Sequence, residues 1–516
     1  METRLDDLQL NRHLLYERFR VSQVAMSSDG STVTFAGPVE TGVRVGGFAV
    51  VELEDDLGLV MQVQDVDLIE HQGPELDLDI PDDLRAPGVL RARARPMMRA
   101  LRGRGVTLGV LHAGAFTRTL TVEPFGEHPF RPAAPAELAS VAAALSDDAT
   151  TFDIGVYSQD RSVPARLHST GFARHTFMCG QSGSGKTYTT GALLERLLAS
   201  TTLPIVVIDP NSDHVFLGAT DDPADDSPRA VRHREVGAGV HVARARGYDS
   251  EVLLCLDFSD IDIDTQALLL RMHPVRDLDD FQALRQVTAE LTAPYSVADV
   301  AAAAARSPQT ERLATRVDNL HIADWDLWRR DGERSAVDFD MRSARCLVVD
   351  VGSLPTPDER TVVALALLGL RWAQRRRREP VLLVVDEAHN VLPAATDNPL
   401  LRATTELGIL VAGEGRKFGL HLFVATQRPG KVHPNVVSQC DNLVLMRMNG
   451  TADIDALSGF FSHVPAPMLR QATGFGLGQA LFAGPIAPVP LFAQVGTRVS
   501  PQGGGDVPTT WAHPAT

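Results

Sequence analysis

Lysine is almost absent from this chain. Only three of its 516 residues are lysine (Lys186, Lys417 and Lys431), while the other 46 basic residues are arginine. A GC-rich genome accounts for the bias. Each surviving lysine then marks a place where a planar guanidinium does not replace a compact point charge, as in a tight phosphate site. Cysteine is scarce as well. Cys179, Cys255, Cys346 and Cys440 are scattered and no two form a CxxC, which excludes a disulfide framework or a zinc site and fits reduced thiols in a cytoplasm. No apolar run reaches the roughly 18 residues of a membrane helix. The longest, Val362–Leu370 and Val381–Val385, are short and flanked by charge. The opening Met1-Glu2-Thr3-Arg4-Leu5-Asp6-Asp7 does not read as a signal peptide. The expectation is a cytoplasmic protein without integral membrane association. Aromatics make up 6% and do not interleave with the basic runs, so base stacking on single strands has no support. A net charge of −16 excludes a general nucleic-acid coat but leaves room for a local basic channel.

Hydrophobic residues at 44% and charged residues at 22% describe a globular chain, long enough for two to four domains. Residues 1–130 are β-rich, with short strands at Thr32–Phe35, Phe48–Leu53, Leu59–Val63 and Thr119–Val122 between Gly- and Asp-rich turns, as in a small barrel or sandwich. Residues 131–150 read as a linker with a short helix. From 151 apolar strands alternate with helices, the signature of a parallel α/β sheet. Its strands are expected at His175–Cys179, Pro204–Ile208, Cys346–Val351, Val381–Val385 and Leu420–Ala425. The core runs over 151–260 and 341–496. It is interrupted at 261–340 by a helical insertion with helices at Asp279–Leu291, Val297–Ala305 and Thr310–Leu320. Residues 497–516 lack a hydrophobic period and are expected to run over the surface as a C-terminal extension.

Gly180-Gln181-Ser182-Gly183-Ser184-Gly185-Lys186-Thr187 fits G-x-x-x-x-G-K-[ST], follows an apolar strand and opens a helix, the context this motif requires. Glycines let backbone N–H groups turn around phosphates, and the helix N-terminus adds partial positive charge. Lys186 is expected to reach the β- and γ-phosphates of ATP, the Thr187 hydroxyl to ligate Mg²⁺, and Tyr188 to border the nucleotide. The strand Val381–Val385 ends in Asp386 and Glu387. Asp386 is placed to hold the Mg²⁺ shell, and Glu387 to act as base or positioner for an attacking water. Asp386-Glu387-Ala388-His389 also reads as a DEAH box. The 200 residues between Lys186 and Asp386 and the 129 that follow Glu387 leave no room for that helicase layout with its second RecA-like domain.

Further polar groups end other strands. Gln427, in Ala425-Thr426-Gln427-Arg428-Pro429, is the candidate γ-phosphate sensor. Arg416, in the basic segment Gly413–Gly419, and Arg174 are candidate phosphate-contacting arginines, the alternative being solvated turns. Ile208-Asp209-Pro210-Asn211-Ser212-Asp213 brings more carboxylates to the sheet edge where α/β ligands bind. Of the densest basic runs, Arg91–Arg104 and Arg375–Arg378, the second is favoured as the basic end of a helix complementing its dipole.

Together, in this order, Arg174-His175, Gly180–Thr187, Ile208-Asp209-Pro210, Leu383–His389, Gly413-Glu414-Gly415-Arg416-Lys417-Phe418-Gly419, Ala425–Pro429 and Ser438-Gln439-Cys440 resemble the HerA branch of the HerA–FtsK family of ring-shaped DNA-translocating ATPases. Gly503-Gly504-Gly505 followed by Thr509–Ala512 resembles that family's C-terminal extension. The resemblance covers most of 155–512. It implies a RecA-like P-loop ATPase core behind an N-terminal small β-barrel of the kind shared with rotary ATP synthases. It further implies a homohexamer with double-stranded DNA in its central channel, ATP and Mg²⁺ as cofactors, and Arg416 as the trans-acting finger with Arg174 as a second arginine. The tail would brace a neighbouring subunit, and the partner would be a nuclease of the NurA type or another effector in end processing or antiphage defence. A conjugation or secretion ATPase and an ATP-regulated assembly platform are the alternative functions. The family often carries Gly-Glu and an aromatic after Asp-Pro, where this chain has Ser212-Asp213-His214, which weakens any role carried over to Asp213.

Overall fold

The computed structural model describes residues 21–54, 56–72, 76–78, 92–94, 97–146, 150–330, 332–333, 339, 341 and 344–504. Part of the Arg91–Arg104 run and the tail beyond Gly504 lie outside the described residues. Contacts divide the chain into two units, one from the N-terminal region and one carrying most of the rest.

The N-terminal unit is a closed six-stranded barrel. Thr32–Gly37, Val24–Ser27, Phe125–Pro132, Phe48–Glu54, Leu57–Gln72 and Met97–His112 pair in that order, and Thr32–Gly37 pairs back onto Met97–His112. Alternation drives it: Val33 and Phe35, Ala49 and Val51, and Leu59, Met61 and Val63 turn inward to a core completed by Ala25 and Phe130. Closure pairs each of these six strands on both sides. Thr119–Val122 is not a strand. The hairpin strand Ala115–Arg118 ends before it, and the segment spends its groups on turn bonds such as Thr119 Oγ1 to the Thr121 carbonyl. Arg131 and Pro132 finish a barrel strand, and the helix Pro135–Leu145 groups with the barrel, so the expected linker is mostly structured.

The second unit is built on a twelve-stranded sheet. Eight parallel strands run Cys440–Leu445, His175–Cys179, Leu420–Thr426, Val381–Val385, Ile205–Asp209, Cys346–Asp350, Val240–Arg244 and Val252–Leu253. Gln479–Ala483, Leu491–Val495 and Thr151–Tyr157 extend it in antiparallel fashion beyond Cys440–Leu445, and Pro164–His168 is the twelfth strand, at the edge next to Thr151–Tyr157. The central strands are buried on both faces, which is why they read as unbroken runs of Val, Ile and Leu. This order sets the phosphate-loop strand two places from the acidic strand, with Leu420–Thr426 between them, which is the strand arrangement of a RecA-like core. Helices at Leu278–Glu290, Val297–Ala304 and Glu311–Leu320 form the insertion, each within one residue of its predicted bounds. Among the described residues no helix is long and apolar enough to cross a membrane.

Arg375–Arg377 form a 3-10 turn at the end of the helix Pro357–Gln374. Arg375 lies 4.2 Å above the Trp372 ring, so the basic run terminates a helix. Thr497 is exposed, but residues 498–500 do not run over the surface, because Ser500 is 4% exposed and the Arg498 side chain 1%. A buried carboxylate, Glu195, holds them against the phosphate-loop helix.

Candidate functional site

The phosphate loop spans the carboxyl end of His175–Cys179 and the first turn of the helix Lys186–Ser200. Gly183 and Gly185 stand at φ +73° and +92°, where a side chain would be strained. The loop is fastened from outside by groups the motif does not contain. Arg447 Nη2 donates to the Gly183 carbonyl at 2.9 Å, Gly478 N–H to the Ser184 carbonyl at 3.0 Å, and Asn449 N–H to Gln181 Oε1 at 2.9 Å. Gln181, Ser182, Gly183, Gly185, Thr187 and Tyr188 line a cavity of about 730 Å³.

Parallel register decides which carboxylates face the loop. Ile208 pairs with Val385, so Asp209 and Asp386 emerge side by side where both strands end. Lys186 Nζ lies 2.5 Å from Asp386 Oδ1 and 3.1 Å from Glu387 Oε1, with all three side chains buried. Burial opposes the charge on Lys186, but the two carboxylates overcome it and hold its pKa above the ordinary value. Burial likewise works to raise the Asp386 carboxyl, yet the Lys186 ammonium beside it keeps it well below the usual carboxylate range. Glu387 N–H donates to Asp386 Oδ1 at 2.8 Å. Glu387 adopts a left-handed conformation (φ +42°), which is strained for a residue with a side chain. Gln427 Nε2 donates to Glu387 Oε1 at 2.7 Å, and His389 Nδ1 lies 3.3 Å from Glu387 Oε2.

The structure therefore brings Lys186, Asp386, Glu387 and Gln427 into one cluster, with Thr187 beside it. Thr187 Oγ1 is 3.5 Å from Asp213 Oδ2. Burial, with Asp209 and Asp386 close by, pushes the Asp213 carboxyl up to about 6. Ser184 Oγ, Asp386 Oδ2 and Glu387 Oε2 are buried without hydrogen-bond partners. Together with the carboxylates and the lysine of the loop, these atoms fit a triphosphate with a divalent cation: Thr187 and Asp386 have the hard oxygens that Mg²⁺ takes.

Arg174 and Arg416 are not part of this cluster. Arg174 precedes the phosphate-loop strand, and Arg416 sits on the 3-10 turn Gly415–Phe418 that leads into Leu420–Thr426. Both lie at the amino ends of parallel strands, while the loop lies at their carboxyl ends. Five residues of strand, about 16 Å, intervene. Both guanidinium groups converge on one carboxylate, Asp441 Oδ2, at 3.2 and 3.0 Å, and all three side chains are half exposed.

Sequence reasoning missed four contributors. Asp441 lies in the strand Cys440–Leu445 and Arg447 just beyond it, a strand that the sequence reading did not include among those of the core. His214 is fully buried beside Asp386, and its position in Ser212-Asp213-His214 was its only signal. The strap 497–504 reaches the cavity through Gln502 and Gly504. Arg498 N–H donates to Tyr188 Oη at 2.6 Å, and Gly503 N–H to the Asp213 carbonyl at 3.1 Å.

Residues 152–320 match the family model for the central domain of helicase HerA. A probable DNA double-strand break repair helicase HerA of Methanocaldococcus jannaschii is 30% identical over 129 residues, 25% of this chain and 25% of that protein. The DNA double-strand break repair helicase HerA of Pyrococcus furiosus is 28% identical over 116 residues, 22% of this chain and 20% of that one. The matches thus span about a quarter of the length of these curated relatives. Among solved structures, VirB4 of Thermoanaerobacter pseudethanolicus superposes with a TM-score of 0.48 at 17% identity, covering 68% of this chain and 97% of the other. The loop, acidic pair and polar strand end gather at one sheet edge, and residues 152–320, which include the loop, are similar to the central domain of helicase HerA.

Proposed function

We propose that this chain hydrolyses ATP with Mg²⁺ and, as a homohexamer in the cytoplasm, uses the turnover to move along double-stranded DNA beside a partner nuclease of the NurA type or another effector. The observation that carries the reading is the cluster of Lys186, Asp386, Glu387 and Gln427 at the mouth of the phosphate loop. With nucleotide bound, Lys186 exchanges its carboxylate partners for phosphate oxygens, a short swing from where it stands. Thr187 and Asp386 would hold Mg²⁺, whose chemistry is to neutralise developing phosphate charge. Glu387 orients the attacking water and receives its proton at a carboxylate oxygen. Gln427 and His389 fix the rotamer of Glu387, and a sensor role for Gln427 follows from its standing between that carboxylate and the cavity. Arg416 and Arg174 face away from their own loop, so any phosphate they contact belongs to a neighbouring subunit.

The relatives' description as double-strand break repair helicases supports DNA end processing as the setting, with antiphage defence as the other. A chain of net charge −16 repels DNA on average, so contact must come from arginines gathered in a channel and be directed at the backbone. The test is ATP turnover by the assembled protein with and without duplex DNA at about 50 mM salt. The parent should hydrolyse ATP faster with duplexes of unrelated sequence, and the stimulation should fall steeply with salt. Glu387→Gln should bind ATP and lose turnover. Parent-like turnover by Glu387→Gln would overturn the catalytic assignment. An assembled ring that neither binds nor responds to duplex DNA would make the assembly-platform role the better account.

A further inference from the structure

The cavity at the phosphate loop is lined mainly by glycine and polar groups, joined by two aliphatic side chains. Val495 is 7% exposed and belongs to the core, whereas Leu477 is 70% exposed. The Leu477 side chain lies beside the last glycine of the loop, with Cδ1 3.4 Å from where a Cβ on Gly185 would stand. The turn that carries it is well fastened. Gly476 N–H donates to Gln479 Oε1 at 2.8 Å, Gly478 N–H to the Ser184 carbonyl at 3.0 Å, and Val495 N–H to the Gly478 carbonyl at 2.9 Å. Gln494 Nε2 donates to the Leu477 carbonyl at 3.1 Å. A leucine side chain thus stands outside the core on backbone bonded to the phosphate loop itself.

A lone exposed leucine on an open surface asks for no explanation. This one lines a concave site, where an apolar side chain pairs with the apolar part of a ligand. The phosphates and ribose of ATP are polar, and Lys186 and Thr187 stand at the phosphate end. The purine remains, with apolar faces and a polar edge. Gln494 lines the same cavity, and its amide is oriented. The Leu477 carbonyl accepts only from the amide nitrogen, which turns Gln494 Oε1 away from it, and among the described residues nothing donates to that oxygen. An open acceptor separates the two purines: adenine offers an amino donor where guanine offers a carbonyl acceptor.

We propose that Leu477 and Gln494 form the base subsite of this cavity: Leu477 covers one face of the purine and Gln494 Oε1 accepts from the adenine amino group, so that the site selects adenine over guanine. The inference rests on the reading of the loop as an ATP site and adds the residues that choose the base. No step of hydrolysis passes through either side chain. Leu477 lies in the turn before the strand Gln479–Ala483 and Gln494 in the strand Leu491–Val495, and the antiparallel pairing of Gln479 with Gln494 brings them together.

The test is calorimetric titration of the full chain, in the presence of Mg²⁺, with ADP, GDP and pyrophosphate, which separates the base from the phosphates. The parent should bind ADP more tightly than pyrophosphate, and about tenfold more tightly than GDP, the worth of one hydrogen bond made against one acceptor left facing another. Leu477→Ala should weaken ADP and GDP alike by about tenfold, the worth of a leucine covered on one face, and leave pyrophosphate unchanged. Leu477→Met should bind ADP as the parent does. Gln494→Met should bring the ADP and GDP dissociation constants together, again with pyrophosphate unchanged. Pyrophosphate is the discriminating readout, because residues that only shape the loop would weaken all three ligands together. Should Gln494→Met fail to fold, the preference of the parent and the two Leu477 variants still decide. Equal binding of ADP and GDP by the parent, parent-like ADP binding by Leu477→Ala, or a parallel loss of pyrophosphate in either variant overturns the proposal. The two readings fail separately: base-selective ADP binding in a protein with no ATP turnover sinks the catalytic reading alone, and ATP turnover with ADP held no better than pyrophosphate sinks this one alone.

Discussion

Replacing Glu195 with alanine should free the C-terminal strap from the phosphate-loop helix. Glu195 is 4% exposed, and its carboxylate accepts from Val499 N at 2.9 Å, Ser500 N at 2.7 Å and Ser500 Oγ at 2.6 Å. Each hydrogen bond to a charged group contributes about 1.5–3 kcal/mol, and three on one carboxylate are not additive. Arg498 would lose its counter-charge too, since its Nε lies 3.6 Å from Glu195 Oε1. That guanidinium packs so close to the helix that a Cβ on Gly191 would stand 2.4 Å from its Cζ, so it has little room to turn toward water. Removing one partner of a buried pair costs about 3–5 kcal/mol. At about 1.4 kcal/mol per decade the open fraction of the strap should rise by roughly two to three and a half decades. Trypsin cleavage after Arg498 reads this directly, because cleavage follows the open population when reclosing is fast. Hydrogen exchange at Val499 and Ser500 should accelerate by the same factor. Val207, in a central strand at 0% exposure, should exchange only through global unfolding and serves as reference. Cleavage after Arg498 and exchange at Val499 and Ser500 that match the parent would refute the argument that Glu195 holds the strap.

Two further outcomes follow from buried groups and from strand direction. Burial holds the His175 imidazole down to about 4 from its ordinary 6.5, with its ring nitrogens engaged by the Ala412 carbonyl and by Leu422 N–H. The unfolded chain therefore takes up a proton that the folded chain refuses. The associated stability is fully present above pH 6.5 and falls as pH drops toward 4, by about 3 kcal/mol. Denaturant titrations from pH 7.5 to 5 check it, and a flat profile would contradict it. Separately, Lys186→Ala and Arg416→Ala subunits should each be nearly inactive alone and regain some ATP turnover when mixed in one ring, since some interfaces then pair an intact loop with an intact arginine. No recovery in verified mixed rings would count against Arg416 acting on a neighbour's phosphate.

The features legible in the sequence are those whose physics is local. A phosphate loop is a backbone conformation, written in contiguous glycines and one lysine. Strands buried on both faces announce themselves as apolar runs, and His175–Cys179 and Val381–Val385 have the predicted bounds. The insertion helices carry their own 3.6-residue period. Tertiary structure decided the rest. Gln479–Ala483 is a strand although Gln, Ala and Leu favour helix, because it is paired on both sides within the sheet. Which carboxylates face Lys186 depends on strand order and register, through which Asp209 and Asp386, far apart in the chain, end side by side. Strand direction sends Arg174 and Arg416 to the opposite edge, where they share Asp441. The strap looks unstructured in sequence because its anchor, Glu195, lies 304 residues away from Val499. A buried carboxylate satisfied by distant backbone N–H groups leaves no periodicity to read, and only the folded chain brings the two together.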